Sequence, residues 1–567
     1  RKKISGKLDA RLDLRLPFLR RLGGPLPKPS LTGQVRVLDG SARGLVAGKD
    51  ISGAAILIDI ADKSVDARGK LLVNGVPANL SWQHILGAEP ARQPPLRVTA
   101  TLDNADRKAL GMEINHVVQG EIGILLTWSP QNLNSGTGHV RADLTKADIT
   151  FDSLAWHKPA GRQAILEMDV TPAADGKSKK LEKIRMAGEG IAIEGSAVIG
   201  GDQEIKSFDL PLFSINVVTR LELKGQRGKN NIWNVTVRGQ AYEGRDMFRA
   251  LFSAGQLTKK APDQKPSHLG VDLDARVSSV LGFWNTSMKD VVLELSKRRG
   301  NIVALAAHGT LEGGRKLIVQ VQKTPPGQPR QLIAMAGDAG AAFQLVGFYP
   351  NAQRGRMQLV VNLDGAGAAE KTGLLYVEDF QVLGDPVVNE VIYAPEDGGA
   401  TRQRKARRRS TRQVMAFDWM RVPFSVGYGQ FVMNDAELRG PVLGAVLRGK
   451  ADFNSRSLNL GGTYVPLQGL NAALGAIPGL GQLIAGPRGE GILGVTFAVQ
   501  GPMNDPQILV NPLSLVAPGI FREMFQMTNP SPRVTPGAGA PEKHRRQKSP
   551  AVSDGWRART FQQGGGN

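Results

Sequence analysis

Residues 4–18 read ISGKLDARLDLRLPF, and this stretch decides the fold because its apolar and charged residues alternate strictly. Ile4, Gly6, Leu8, Ala10, Leu12, Leu14, Leu16 and Phe18 hold the even positions, while Lys7, Asp9, Arg11, Asp13 and Arg15 stand between them. A period of two puts the apolar side chains on one face of a strand and the charges on the other; a helix would scatter them around its circumference. The same alternation recurs outward along the chain. Val271, Leu273, Ala275 and Val277 alternate with Asp272, Asp274, Arg276 and Ser278, and Trp233, Val235 and Val237 with Asn234, Thr236 and Arg238. Met357, Leu359, Val361 and Leu363 share one face, and Val495, Phe497 and Val499 share another. Asp39-Gly40, Asn74-Gly75 and Asp364-Gly365 supply the residues that hairpin turns require. The reading is a mainly β, antiparallel architecture with one dry and one wet face.

Helical signals are few and short. Residues 246–254 (DMFRALFSA), with Asp246 as the expected cap, 341–349 (AAFQLVGFY) and 385–393 (DPVVNEVIY) are the candidates, the last with Pro386 at the first helical position. Residues 467–485 are apolar but broken by Gly475, Pro478, Gly479 and Gly481, which favours two short helices around a turn over one straight rod. Polar loops are expected at 171–180 and 259–267, and a Gly- and Arg-rich insertion at 396–412. Periodicity is lost over 528–567, which reads as a disordered basic tail.

The 567 residues carry a net charge of +21, so an anionic partner is expected: lipid head groups, an anionic glycolipid or nucleic acid. Basic strands interleaved with aromatics, which would favour single-stranded nucleic acid, are missing, so no specific nucleic acid is expected. The chain has no cysteine, which excludes disulfides and thiolate chemistry and fits an oxidising compartment. No apolar run reaches the length of a membrane span.

Catalytic signatures are weak. The seven histidines (His84, His116, His139, His157, His268, His308 and His544) have no helical metal-site spacing, so no metal and no cofactor is expected. Gly489, Gly491 and Gly494 form a nominal GxGxxG, but it precedes a strand-like segment, the wrong order for a dinucleotide site. Asp435, Glu437, Asp452 and Asp505 lie among Gly and Pro and read as turn formers rather than a hydrolytic carboxylate pair. The run RQRKARRRSTR at 402–412 offers Arg404, Lys405, Arg407, Arg408 and Arg409 to anionic head groups, or is a solvated loop.

Several long motifs in the C-terminal half carry a family resemblance: GPVLGAVLRGKADF, LGGTYVPLQGLNAALGAIPGLGQLIAG, FAVQGPMNDPQILVNPLS and APGIFREMF, preceded by MAGDAGAAFQLVGFYPNAQRGRMQL and GLLYVEDFQVLGDPVVNEVI. Over residues 331–527 the chain resembles the C-terminal region of the AsmA-like family, the YhdP- and TamB-related bacterial envelope proteins. Earlier stretches such as VNGVPANLSW and VTATLDNADRKALGM are similar to the middle region of YhdP-type members, giving a repetitive β-groove region over 1–330.

The resemblance implies an elongated, curled sheet forming an apolar groove. It implies a non-enzymatic role: carrying phospholipids between inner and outer membranes across the periplasm. It implies a periplasmic location, with anchoring in the inner membrane expected through an N-terminal helix missing from the sequence given. The implied partners are phospholipids, a membrane surface and outer-membrane or envelope proteins. The runner-up function is a structural assembly factor for outer-membrane proteins that presents sheet edges to clients. Groove candidates, chosen from the apolar strand faces, are Leu8, Leu12, Leu14, Val271, Leu273, Met357 and Leu359. Membrane or cap candidates are Leu470, Leu474, Ile477, Leu480, Leu483 and Ile484. About 30 strands at about 4.8 Å each would run on the order of 140 Å.

Overall fold

The computed structural model describes residues 4–15, 29–46, 49–130, 136–151, 154–173, 175, 177–252, 270–299, 301–322, 329–364, 370–385, 414–441, 443–466, 495–503 and 505–511. All of them belong to one compact unit, Arg1–Ala517. Strands take up 72% of these residues, against three short α-helices, so the architecture is mainly β.

Twenty-seven strands form a single curled sheet. They pair in chain order from Ile4–Arg15 to Gln507–Asn511, each with the strand before and after it. The three short strands Val118–Gly120, Ala147–Phe151 and Trp156–Lys158 pair separately. Among the described residues, Ile4–Arg15 pairs only with Ser30–Val46 and Gln507–Asn511 only with Val495–Pro502, and the sheet is open and not closed into a barrel. At about 4.8 Å per strand, it runs about 125 Å from first strand to last. Pairing also continues across residue 330, where Lys316–Gln322 meets Gln331–Ala336.

Two expectations from the sequence need correction. The first concerns one joint of the otherwise antiparallel ladder: Ile232–Glu243 and Gly270–Leu281 pair in parallel, from Ile232 opposite Gly270 to Glu243 opposite Leu281. Period two is common to both ladders, and only the crossover between these strands, which includes helix Arg245–Phe252, distinguishes them. The second is the Asp39-Gly40 hairpin. It is a β-bulge inside Ser30–Val46, where the register shifts between Val37 and Gly40. Asp290 and Asp435 sit at similar register shifts, and all three aspartates have φ 51. A short polar side chain tolerates the left-handed region, and each extra residue bends its strand and raises the local twist. Bulges of this kind curl a long sheet. Asn74-Gly75 is a true hairpin turn, with φ 48 and 86.

The two long rims of the sheet differ. Helices Asn104–Ala109, Arg245–Phe252 and Ala339–Val346 and the three-stranded sheet all follow or precede strand ends on one rim, here the helix rim. The opposite rim is turned mostly by short loops such as 200–204, 228–231, 299–300 and 453–456, and is called the hairpin rim. Helix Ala339–Val346 begins where expected in composition but two residues early. Asp338 caps it by accepting from the Ala341 amide at 2.9 Å, and Gly347 ends it at φ 77. Asp246, expected to be a cap, lies in the first turn of Arg245–Phe252.

These helices cover part of the apolar face. Phe248, Ala342 and Leu345 join one core with Val277, Val280, Leu311 and Ala336. A second core forms around Val377, with Phe380 stacked on Phe417 at 5.0 Å and Phe424 on Phe431 at 4.8 Å. Near the N-terminal end, Asn104–Ala109 is closed by a capping box between Asp103 and Asp106. Its Arg107 is fully buried, and burial lowers its pKa. Arg107 donates to the carbonyls of Leu102, Val118 and Gly120 at 3.2, 3.0 and 2.7 Å and to Asn115 Oδ1 at 2.8 Å. Arg107→Met should leave these buried acceptors unpaired and cost about 2 kcal/mol. The check is hydrogen exchange, with protection lost first over 102–122.

Candidate functional site

The dry face runs in register through two rows, the second interrupted once, between Leu305 and Val321. On the first nine strands, Leu8 lies opposite Val37, followed by Ile56, Gly69, Leu80 and Val98, then Leu126, Val140 and Met168. The next row begins two residues away on the same face. It passes through Leu96, Trp128, Gly138, Val170, Leu181 and Ala197, and continues through Phe208, Gly225, Val235, Leu273, Leu295 and Leu305. The neighbouring strand resumes with Val321, Leu332, Val361, Gly373 and Phe424, then Met433, Gly449, Leu460, Val499 and Ile508. No polar or charged residue interrupts these rows.

The wet face is organised by cross-strand charge. His139 and Lys183 both meet Asp169 at 2.9 Å, Lys224 meets Asp209 at 3.0 Å, and Arg238 meets Asp274 and Arg298 meets Asp272 at 2.8 Å. Each exposed pair contributes little to stability, but a one-residue slip would bring the charges onto the apolar face. Hydrogen bonds from His139 and then Lys183 hold the Asp169 carboxyl below its usual range; the Arg298 hydrogen bond does the same for Asp272. Both folded pKa values are depressed, so their contribution is present above the ordinary aspartate range and lost as pH falls through the folded values. Melting temperature should therefore hold between about pH 7 and 5 and fall below about pH 4. Asp169→Asn should flatten part of that fall.

The groove candidates divide. Leu8, Leu12 and Leu14 share the dry face of the edge strand and are 71%, 48% and 60% exposed, so they lie on an uncovered margin. Val271 and Leu273 are half-buried on the dry face, Leu273 within the long row. Leu359 packs against the Val377 core. Met357 packs against both cores, including the one that holds Ala342 and Leu345, and so lies toward the helix side. The membrane or cap candidates Leu470, Leu474, Ile477, Leu480, Leu483 and Ile484 and the head-group candidates Arg404, Lys405, Arg407, Arg408 and Arg409 lie outside the described residues, as do Gly489, Gly491 and Gly494. Among the described residues, no group of His, Asp and Glu is placed to hold a metal, and no helix is long and apolar enough to cross a membrane. Asp452 closes a turn by accepting from the amides of Asn454 and Ser455 at 2.9 and 3.1 Å, and Asp435 is the bulge residue described above. An open recess of about 920 Å³ near Lys70, Asn79, Thr99 and Arg141 lies where charged and apolar side chains mix, away from the long row.

At the hairpin rim the dry face ends in cations. Lys179, two residues beyond Leu181, lies opposite Ile199. Arg227, two residues beyond Gly225, lies opposite Trp233, which lies opposite Val271, which lies opposite Lys297. The Arg227 side chain is only 10% exposed, and its Nη1 pairs with Glu204. Its Nε is shielded from solvent and has no hydrogen-bond partner among the described residues. Phe208 and Trp233 pack beside this end of the row, with ring centroids 5.5 Å apart. Sequence reading missed Arg227, because its setting depends on three strands meeting. Compared with family models, curated proteins and solved structures, the chain matches none of them.

Proposed function

We propose that this chain is a non-enzymatic carrier that moves phospholipids along the dry face of its sheet, within the bacterial envelope and between its two membranes. The observation that carries this reading is the row from Leu96 to Leu305 and from Val321 to Ile508, twenty-two residues, one from each strand, none of them polar or charged. Burying an acyl chain contributes about 0.8 kcal/mol per CH₂. A row of uniform polarity keeps that gain nearly constant from strand to strand, so a lipid meets no deep trap along it. A length of about 125 Å suits a path between two membranes. The periplasmic setting and the inner-membrane anchor come from the AsmA-like resemblance alone.

Mass spectrometry of an organic extract of the purified chain tests the reading. Diacyl phospholipids should be recovered in more than one copy per chain. Recovery of none from a folded preparation would count against it. A second reading, an assembly factor for outer-membrane proteins, draws on the edge strand Ile4–Arg15, whose outer side has no partner strand among the described residues and whose twelve residues are all exposed.

A further inference from the structure

The dry face has unlike margins, and that difference bears on the lipid it would take. Toward the helix rim the apolar surface is covered where Phe248, Ala342 and Leu345 pack on Val277, Val280 and Ala336. A lipid lying on the uncovered half has its chains over Val235, Leu273 and Leu295, and its head group can reach water only at the hairpin rim. There the same face carries Lys179, Arg227 and Lys297, and Lys206 stands beside them at a register shift between Ile205 and Ser207.

Half of this charge is not internally compensated. Lys206 pairs with Asp202, and Lys206 and Arg227 share Glu204. Lys179 and Lys297 have no ion-pair partner among the described residues. The count is four cations to two carboxylates. Adjoining turns add Lys177, Lys229 and Arg299, likewise without ion-pair partners among the described residues.

Arg227 is the centre of this margin. A guanidinium side chain nine-tenths buried, with an unpartnered Nε, carries the cost of an unmade hydrogen bond. Glu204 holds Nη1 and so fixes the guanidinium, while Nη2 has no hydrogen-bond partner among the described residues and is left to donate to a phosphate oxygen. The rings of Phe208 and Trp233 flank the place where acyl chains would meet the head group.

We propose that the hairpin-rim margin around Arg227 is a phosphate-binding track, and that the lipid carried is an anionic phospholipid held there by its head group. This rests on the lipid-carrier reading and adds to it a charge preference and an orientation.

The test uses the full chain and two acyl-labelled lipids with the same chains, phosphatidylglycerol and diacylglycerol, delivered from cyclodextrin. Retention should favour phosphatidylglycerol about tenfold, the scale of a charge-assisted hydrogen bond. Arg227→Gln should lower phosphatidylglycerol to the diacylglycerol level and leave diacylglycerol unchanged. Lys297→Gln, at an exposed site with no ion-pair partner, should lower phosphatidylglycerol about threefold with folding intact. Equal retention of both lipids by the wild-type chain would overturn the proposal. So would Arg227→Gln or Lys297→Gln variants that stay folded and lower both lipids alike. Retention of neither lipid would sink the carrier reading and this proposal with it. Inorganic phosphate at millimolar concentration should displace little of the lipid. If it bound equally well without acyl chains, the track would be a free-phosphate site and its assignment to lipid would fail.

Discussion

Leu295→Asp is expected to lower phospholipid transfer between donor and acceptor vesicles more than tenfold while leaving the strand signal in circular dichroism unchanged. Leu295 is half-buried in the middle of the long row, between Leu273 and Leu305. A carboxylate there would strip contact from about three methylenes of a passing chain, about 2.4 kcal/mol, which exceeds a factor of ten. Because the row has no parallel path on the helix side, where the face is covered, one such site should act on the whole path. Leu273→Asp should behave alike. Glu294→Ala, one residue away on the wet face, should leave transfer unchanged. Met357→Asp should instead destabilise the fold, because Met357 packs against both cores.

The second large effect concerns stability. Leu345→Ala should cost about 4 kcal/mol, because Leu345 is 1% exposed and closes the contact between helix Ala339–Val346 and the sheet. The surroundings have little freedom to collapse into the cavity. The Leu345 carbonyl accepts from the Phe283 amide at 3.1 Å, and a methyl group on Gly282 would sit 2.4 Å from that same oxygen. A methyl group on Gly340 would come 2.5 Å from the Ala352 carbonyl oxygen, so the helix backbone already rests on the next strand. Urea denaturation should give a lower midpoint with an unchanged slope. Leu295→Ala, in the open part of the row, should cost about 1 kcal/mol, since a half-buried side chain has less contact to lose. Together the two alanine variants separate the surface that holds the fold from the surface available to a ligand.

The strands were legible because alternation is local: each of residues 4–15, 233–237 and 357–361 reports its own two faces without reference to a partner. The Asp-Gly and Asn-Gly signals were legible only in part. Asn74-Gly75 makes a hairpin and Asp39-Gly40 a bulge, and both use the same left-handed backbone, so the dipeptide alone does not tell a reversal from a kink. The parallel joint between Ile232–Glu243 and Gly270–Leu281 was hidden for a similar reason, since side-chain alternation carries no strand direction. Helix Asn104–Ala109 is too short to show a 3.6-residue period, although Asp103 and Asp106 offered a capping signal that went unread. The dry-face rows were anticipated as a face but not as a register, which depends on bulges at Lys183, Asp290 and Asp435 keeping apolar residues opposite one another. Arg227 is the least legible residue of all. In sequence it is one of many basic residues; only the pairing with Glu204 and the packing of Phe208 and Trp233 single it out.

Whether lipid travels on the dry face can be read by placing a photoreactive amino acid at Leu295 and, in a separate chain, at Glu294. The two side chains are adjacent in sequence and point to opposite faces of one strand. After irradiation in the presence of labelled phospholipid, a lipid adduct is expected at position 295 and almost none at 294. Equal labelling at both positions, or none at 295 in a folded chain, would contradict it.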